Sequence, residues 1–208
     1  MIDAGVVRAN LAAVRAEVDE AAAAAGRAPG TVEILAAVKY VTRDDMPALA
    51  EAGITLVGEN RSDALIEKRD GYADAFRWDF IGHLQSRKAK VVNDLCELCH
   101  SLASESAAKR LAIPALVEVN LSGEPTKSGI TPEELPRFLG LYDNVCGLMT
   151  MPPASDDAEA SRPYFRRLRE LAETHGLREL SMGTSQDYRV AVEEGATYIR
   201  VGSTLFGK

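Results

Sequence analysis

VEILAAVKY, residues 32 to 40, is an apolar run with few interruptions that ends on one lysine, Lys39. Gly30 lies before it and Thr42, Asp44 and Asp45 follow, so the run reads as a buried strand rather than a helical turn. Alternation places Leu35, Ala37 and Lys39 on one face, sending a cationic tip over small neighbours towards the strand's C-terminal end. Such an amine either meets an anion or, desolvated or set beside other cations, loses its proton and becomes a nucleophile towards carbonyl carbon. A lysine snorkelling out of a strand end satisfies the same pattern, so the rest of the chain has to choose.

Upstream, residues 3 to 25 carry Val7, Leu11, Val14 and Val18 at helical spacing and close at Gly26, which predicts a helix before the first strand. Downstream the pattern repeats. Thr42 is placed to cap a helix reaching Ala52, and ITLVGE (54 to 59), WDFIGHL (78 to 84), ELCHSLA (97 to 103), ALVEVNL (115 to 121), VCGLMTM (145 to 151), ELSMGT (179 to 184) and TYIRVGS (197 to 203) read as further strands. Helices are predicted between them at 61 to 68, 86 to 93 and 104 to 110, from Thr131, from 157 to 175, and up to Glu194. Thr131, Pro132 and Glu134 make a capping-box start.

Eight strands that are apolar on both faces and alternate with helices predict an α/β fold, a closed (β/α)8 TIM barrel, as one domain over residues 1 to 208. An open doubly wound sheet is the alternative, but no G-x-G-x-x-G follows the first strand. Only five residues follow the last strand, so the closing helix is expected to be missing, with the N-terminal helix covering that flank.

A formal charge of -7 argues against non-specific nucleic-acid or anionic-membrane binding, though not against a local basic pocket. The sequence shows no secretory signal and no apolar run long enough to span a membrane, so a cytoplasmic protein is expected. With no long apolar surface stripe, a monomer is expected. Three cysteines, Cys96, Cys99 and Cys146, fit reduced thiols. Cys96, Cys99 and His100 match C-x-x-C-H, but haem attachment requires export and zinc requires further ligands.

In such barrels chemistry gathers at the C-terminal strand ends. There the sequence places Lys39, Asn60, His83, Met182, Ser185, Arg200, Gly202 and Ser203. Gly183 to Ser185 is predicted to open a helix, combining backbone N–H groups, a hydroxyl and a dipole suited to phosphate. Gly202 and Ser203 supply a second such turn, and Arg200 shares the inner face with Gly202. A lysine able to form a Schiff base, a phosphate cup and an inward arginine together describe pyridoxal 5'-phosphate.

Over essentially its whole length the chain resembles the pyridoxal phosphate homeostasis proteins, single-domain relatives of the alanine racemase barrel. The carrying stretches are AVKYVT, LVGENR, WDFIGHLQSRKAK, EVNLSGEPTKSGI, GLMTMPP and LSMGTSQDYRVAVEEGATYIRVGSTLFG. The resemblance implies that Lys39 bonds the cofactor, that Ser185, Gly202 and Ser203 hold its phosphate, and that Arg200 faces the pyridine nitrogen. Asn60 and Met182 would line the ring, with His83 near the pocket. It implies a non-enzymatic carrier that buffers or delivers the cofactor to apo-enzymes. A racemase or slow transaminase is the alternative, weakened because the racemase's second domain supplies a base that this sequence does not contain. A cofactor-free Schiff-base lyase is the third reading. Lys127, in the loop after strand five, is expected to be a surface lysine, with pick-up of free cofactor as the alternative, and Tyr40 after the lysine and the short 104 to 114 link depart from the family pattern.

Overall fold

The computed structural model describes residues 1 to 207. Eight parallel strands close into a barrel in sequence order. They are β1 (Glu33–Ala37), β2 (Leu56–Glu59), β3 (Arg77–Phe80), β4 (Leu98–Leu102), β5 (Ala115–Glu118), β6 (Val145–Met149), β7 (Glu179–Thr184) and β8 (Tyr198–Val201). The seam pairs Leu35 of β1 with Arg200 of β8.

The helices are α1 (Ala4–Ala24), α2 (Met46–Glu51), α3 (Ser62–Arg69), α4 (Ala89–Leu95), α5 (Glu105–Ala108), α6 (Leu135–Leu139), α7 (Arg162–Thr174), α8 (Tyr188–Glu193) and α9 (Ser203–Phe206). Alternation sorts the side chains into two layers. Ile34, Ala36 and Val38 join Trp78, Phe165 and Leu168 in the main core between sheet and helices. Each such fully buried large side chain contributes about 1.5–3 kcal/mol. Leu98, Leu116 and Met149 form a small separate cluster with Cys146 and Tyr198 inside the barrel.

α1 starts where the Asp3 carboxylate accepts the Val6 N–H at 2.9 Å, and it buries Val7, Val14 and Val18. It lies against α8 and α9, where Asn10 donates to the Leu205 carbonyl at 3.0 Å and Tyr188 donates to Glu17 at 2.7 Å. The expected cover by the N-terminal helix is therefore present, but the closing helix is not missing. It is the single turn α9, because Ser203 leaves the sheet instead of ending β8.

Most strands stop earlier than their apolar runs suggest, since ladder bonds end where neighbouring strands diverge at the rim. WDFIGHL keeps only its first three residues in β3, and β1 ends at Ala37, two residues before Lys39. Gly82 marks the departure of the β3 chain, for a Cβ there would lie 1.9 Å from the Asn60 carbonyl oxygen. Thr42 makes no capping bond; its hydroxyl donates to Asp45 at 2.8 Å, and a 3-10 turn over Arg43–Asp45 precedes α2. At Thr131 the backbone N–H reaches Glu134 at 2.8 Å as the capping box requires.

Candidate functional site

Lys39 sits in the turn just past β1, exposed, with its ammonium 4.6 Å from the centroid of the Tyr40 ring. This is within cation–π range. Beneath the turn lies a buried clamp. Lys68 of α3 donates to the Val38 carbonyl at 2.6 Å and to the Glu59 carboxylate. The other Glu59 oxygen accepts the Asn60 and Arg61 N–H groups at 2.7 and 3.0 Å. The ends of β1 and β2 are thus tied to each other and to α3.

Arg200 points into the barrel. Its guanidinium donates to the Ser181 hydroxyl at 2.6 Å and to the Thr150 carbonyl at 3.1 Å. Burial lowers its pKa to about 10, opposed by the nearby Glu118 and Asp187 carboxylates, so it remains a cation at neutral pH. Ser181 also meets His100 Nδ1 at 2.8 Å, and His100 Nε2 meets Asp79 at 3.1 Å.

On the other side of the rim the Ser185 hydroxyl accepts from the Gly202 and Thr204 N–H groups at 3.3 and 3.4 Å, drawing the turns after β7 and β8 together. Gly183 has φ +91°, and a Cβ there would lie 2.6 Å from that of Ala191. Gly183 to Ser185 does not open a helix. The carboxylate of Asp187 holds the Thr184 N–H at 2.7 Å, and α8 begins only at Tyr188.

These elements border one cavity of about 740 Å3, lined by Lys39, Tyr40, Asn60, Ile81, Met151, Thr184, Ser185, Gln186, Arg200, Gly202, Ser203 and Phe206 among others. Among the described residues its two charged lining groups, Lys39 and Arg200, are both cationic, and no carboxylate lines it. A cationic rim with hydroxyls and backbone donors at one end and apolar walls between fits an anionic aromatic aldehyde.

Six of the seven expected cofactor contacts converge here: Lys39, Asn60, Ser185, Arg200, Gly202 and Ser203. Met182 does not. Ser181 faces the barrel interior, so its neighbour Met182 faces outward and is fully buried in the main core. Asn60 caps no helix, the residue before α3 being Arg61. His83 is exposed and does not line the cavity. Lys127 donates to the Pro152 carbonyl at 3.3 Å.

The C-x-x-C-H stretch is split by alternation. Cys99 joins the main core, where burial raises its thiol to about 11, while His100 is turned inward. Sequence reasoning missed Glu59, Lys68, Asp79, Ser181 and the inward role of His100. Asp79 and His100 left a signal, as polar residues inside runs otherwise apolar on both faces. Lys68 left none, because a lysine on a short charged helix looks like solvent-facing surface.

No protein-family model matches the chain. A protein of Aquifex aeolicus named pyridoxal phosphate homeostasis protein is 37% identical, covering 96% of each chain. The protein of the same name from Deinococcus radiodurans is 38% identical over 95% of this chain and 99% of its own. Among solved structures, PipY of Synechococcus elongatus with PLP bound superposes with a TM-score of 0.81 at 30% identity, covering 97% of this chain and 100% of that one. Alanine racemase of Corynebacterium glutamicum, at 16% identity and TM-score 0.72, covers 99% of this chain and 61% of that one and shares the fold.

Proposed function

The chain belongs to the pyridoxal phosphate homeostasis protein family, and we propose that its rim cavity holds pyridoxal phosphate bonded reversibly to Lys39, so that the protein stores and hands on a reactive aldehyde. The observation that carries this reading is the convergence of Lys39, Arg200, Ser185, Gly202 and Ser203 on one cavity that no carboxylate of the described residues lines.

When bound, the cofactor supplies an aldehyde that condenses reversibly with a primary amine. Lys39 provides that amine from an exposed turn whose backbone is fixed from below by Lys68. Ser185 and Ser203, with the N–H groups after β8, hold the phosphate; in the free protein Ser185 already gathers the Gly202 and Thr204 donors. Arg200 would meet the pyridine nitrogen as a donor. A guanidinium still charged at neutral pH gives that nitrogen a hydrogen bond without a transferable proton, which withholds the electron sink needed for carbanion chemistry. The Lys39 ammonium lies 4.6 Å from the Tyr40 ring centroid at the cavity mouth.

The protein is loaded with pyridoxal phosphate, freed of excess by gel filtration, and mixed with an apo-enzyme that depends on it. Recovery of that enzyme's activity, with no turnover of D- or L-alanine by the loaded protein above the free-cofactor rate, is expected. Racemisation or transamination well above that rate would make the protein an enzyme instead, and failure to load would remove the cofactor reading.

A further inference from the structure

Four polar side chains cross the barrel interior in one hydrogen-bonded chain, from Asp79 on β3 through His100 on β4 and Ser181 on β7 to Arg200 on β8. Asp79, His100 and Ser181 are 1%, 0% and 0% exposed, too deep to touch a ligand in the cavity, and none of them lines it. Burying a carboxylate and an imidazole there is costly unless both are satisfied.

The donors and acceptors at the two ends favour one direction along the chain. Arg200 has only donors, so Ser181 accepts from it; an ionised Asp79 only accepts, so a neutral His100 satisfies it through an Nε2 proton and leaves Nδ1 to accept the Ser181 hydroxyl. Nδ1 must then be bare. The ring proton sits on Nε2 and is donated to Asp79 Oδ2. In the opposite tautomer Ser181 would face two donors, its own proton would lose its acceptor, and Asp79 would face a bare nitrogen.

We propose that Asp79 and His100 are positioning residues for Arg200, holding the Ser181 hydroxyl as its acceptor and placing one compensating negative charge inside the barrel. The part of this that concerns the cofactor rests on the reading proposed above. His100 stays neutral because burial lowers its pKa, with Arg200 and Arg77 acting in the same direction against the carboxylate of Asp79. Tyr198, edge-on to the imidazole with centroids 5.1 Å apart, is the remaining titratable neighbour. Glu118 and Asp187 are the acidic groups that act on Arg200. One Asp79 oxygen, Oδ1, is buried without a hydrogen-bond partner among the described residues, so the pair with His100 is the bond that holds this side chain.

Histidine-labelled protein without cofactor is the first test. Nitrogen-15 NMR is expected to find His100 protonated at Nε2, bare at Nδ1 and flat between about pH 5 and 8, where an ordinary histidine titrates. His83→Gln and His175→Gln assign the signal by elimination. An Nδ1-protonated or titrating His100 would overturn the proposal whatever the protein binds.

The second test uses protein loaded with pyridoxal phosphate. Asp79→Asn keeps an acceptor for Nε2 but removes the charge, and it is expected to move the pH midpoint of the bound chromophore's absorbance downward, because one negative charge fewer, beside those of Glu118 and Asp187, then offsets Arg200 inside the barrel. Ser181→Thr, which keeps the hydroxyl, is expected to leave the midpoint in place. An Asp79→Asn midpoint equal to wild type would overturn the charge role. A wild-type protein that takes up no cofactor would instead sink the function proposed above, leaving the NMR result to judge the tautomer and the positioning.

Discussion

Two lysines lie on either side of one peptide turn. Lys68 is buried, its ammonium divided between the Val38 carbonyl and the Glu59 carboxylate. Lys39, the next residue after Val38, is exposed and, among the described residues, meets the face of Tyr40 with no ion-pair partner. The same side chain is structural in one place and chemically free in the other. An ammonium surrounded by acceptors is fixed in position and protonation, whereas one left at a cavity mouth can be exchanged for a covalent bond. The buried lysine makes the exposed one useful, because it holds the turn from which Lys39 reaches.

The largest test of that contrast is Lys68→Met. Removing the cation leaves Glu59 buried and short of a partner, which costs about 3–5 kcal/mol. Chemical denaturation should show this loss; a variant as stable as wild type would mean that the clamp holds nothing.

Next in size is the pair Ser185→Ala with Ser203→Ala. Loss of two hydroxyl contacts should weaken retention of cofactor by about 1–3 kcal/mol in all, at about 0.5–1.5 kcal/mol for each hydrogen bond. Adduct formation on Lys39 should survive. Equilibrium dialysis showing wild-type retention would place the phosphate elsewhere.

A third test concerns pH. The pKa of His100 is lowered in the folded protein, so the unfolded chain binds more protons once pH falls below about 6.5. Stability is therefore full above that value and is lost as pH drops from it towards the folded pKa. His100→Gln should remove this part of the slope, checked by urea midpoints at pH 7 and pH 5. An unchanged slope would mean that the imidazole is not held neutral.

The smallest stability effect belongs to Lys39→Ala. An exposed side chain with no ion-pair partner among the described residues should change stability by no more than about 0.5 kcal/mol. The covalent bond should nevertheless be lost completely, leaving weaker binding anchored at the phosphate.

The barrel was legible because every strand is an apolar run bounded by turn residues, and parallel strands covered by helices must read that way. The rim was less legible. Strand ends depend on when neighbours part, so Lys39 and Ser203 lie in turns and helix rather than in strands. Strand-end reasoning picked out Arg200, Ser185 and Gly202 because their residue types suit an anion, and the structure brings the three to one cavity. Met182, which the resemblance alone set beside the ring, lies in the outer core, since one residue along β7 exchanges barrel interior for outer core. The Lys68 clamp was invisible because its partners, Val38 and Glu59, meet it only after α3 has docked on the sheet.

The most direct measurement is borohydride reduction of the protein after incubation with pyridoxal phosphate, followed by peptide mass mapping. A yellow protein whose single reduced adduct lies on Lys39, and which disappears in Lys39→Ala, is the expected result. No adduct, or an adduct on Lys127 or another surface lysine with Lys39 unmodified, would contradict the account.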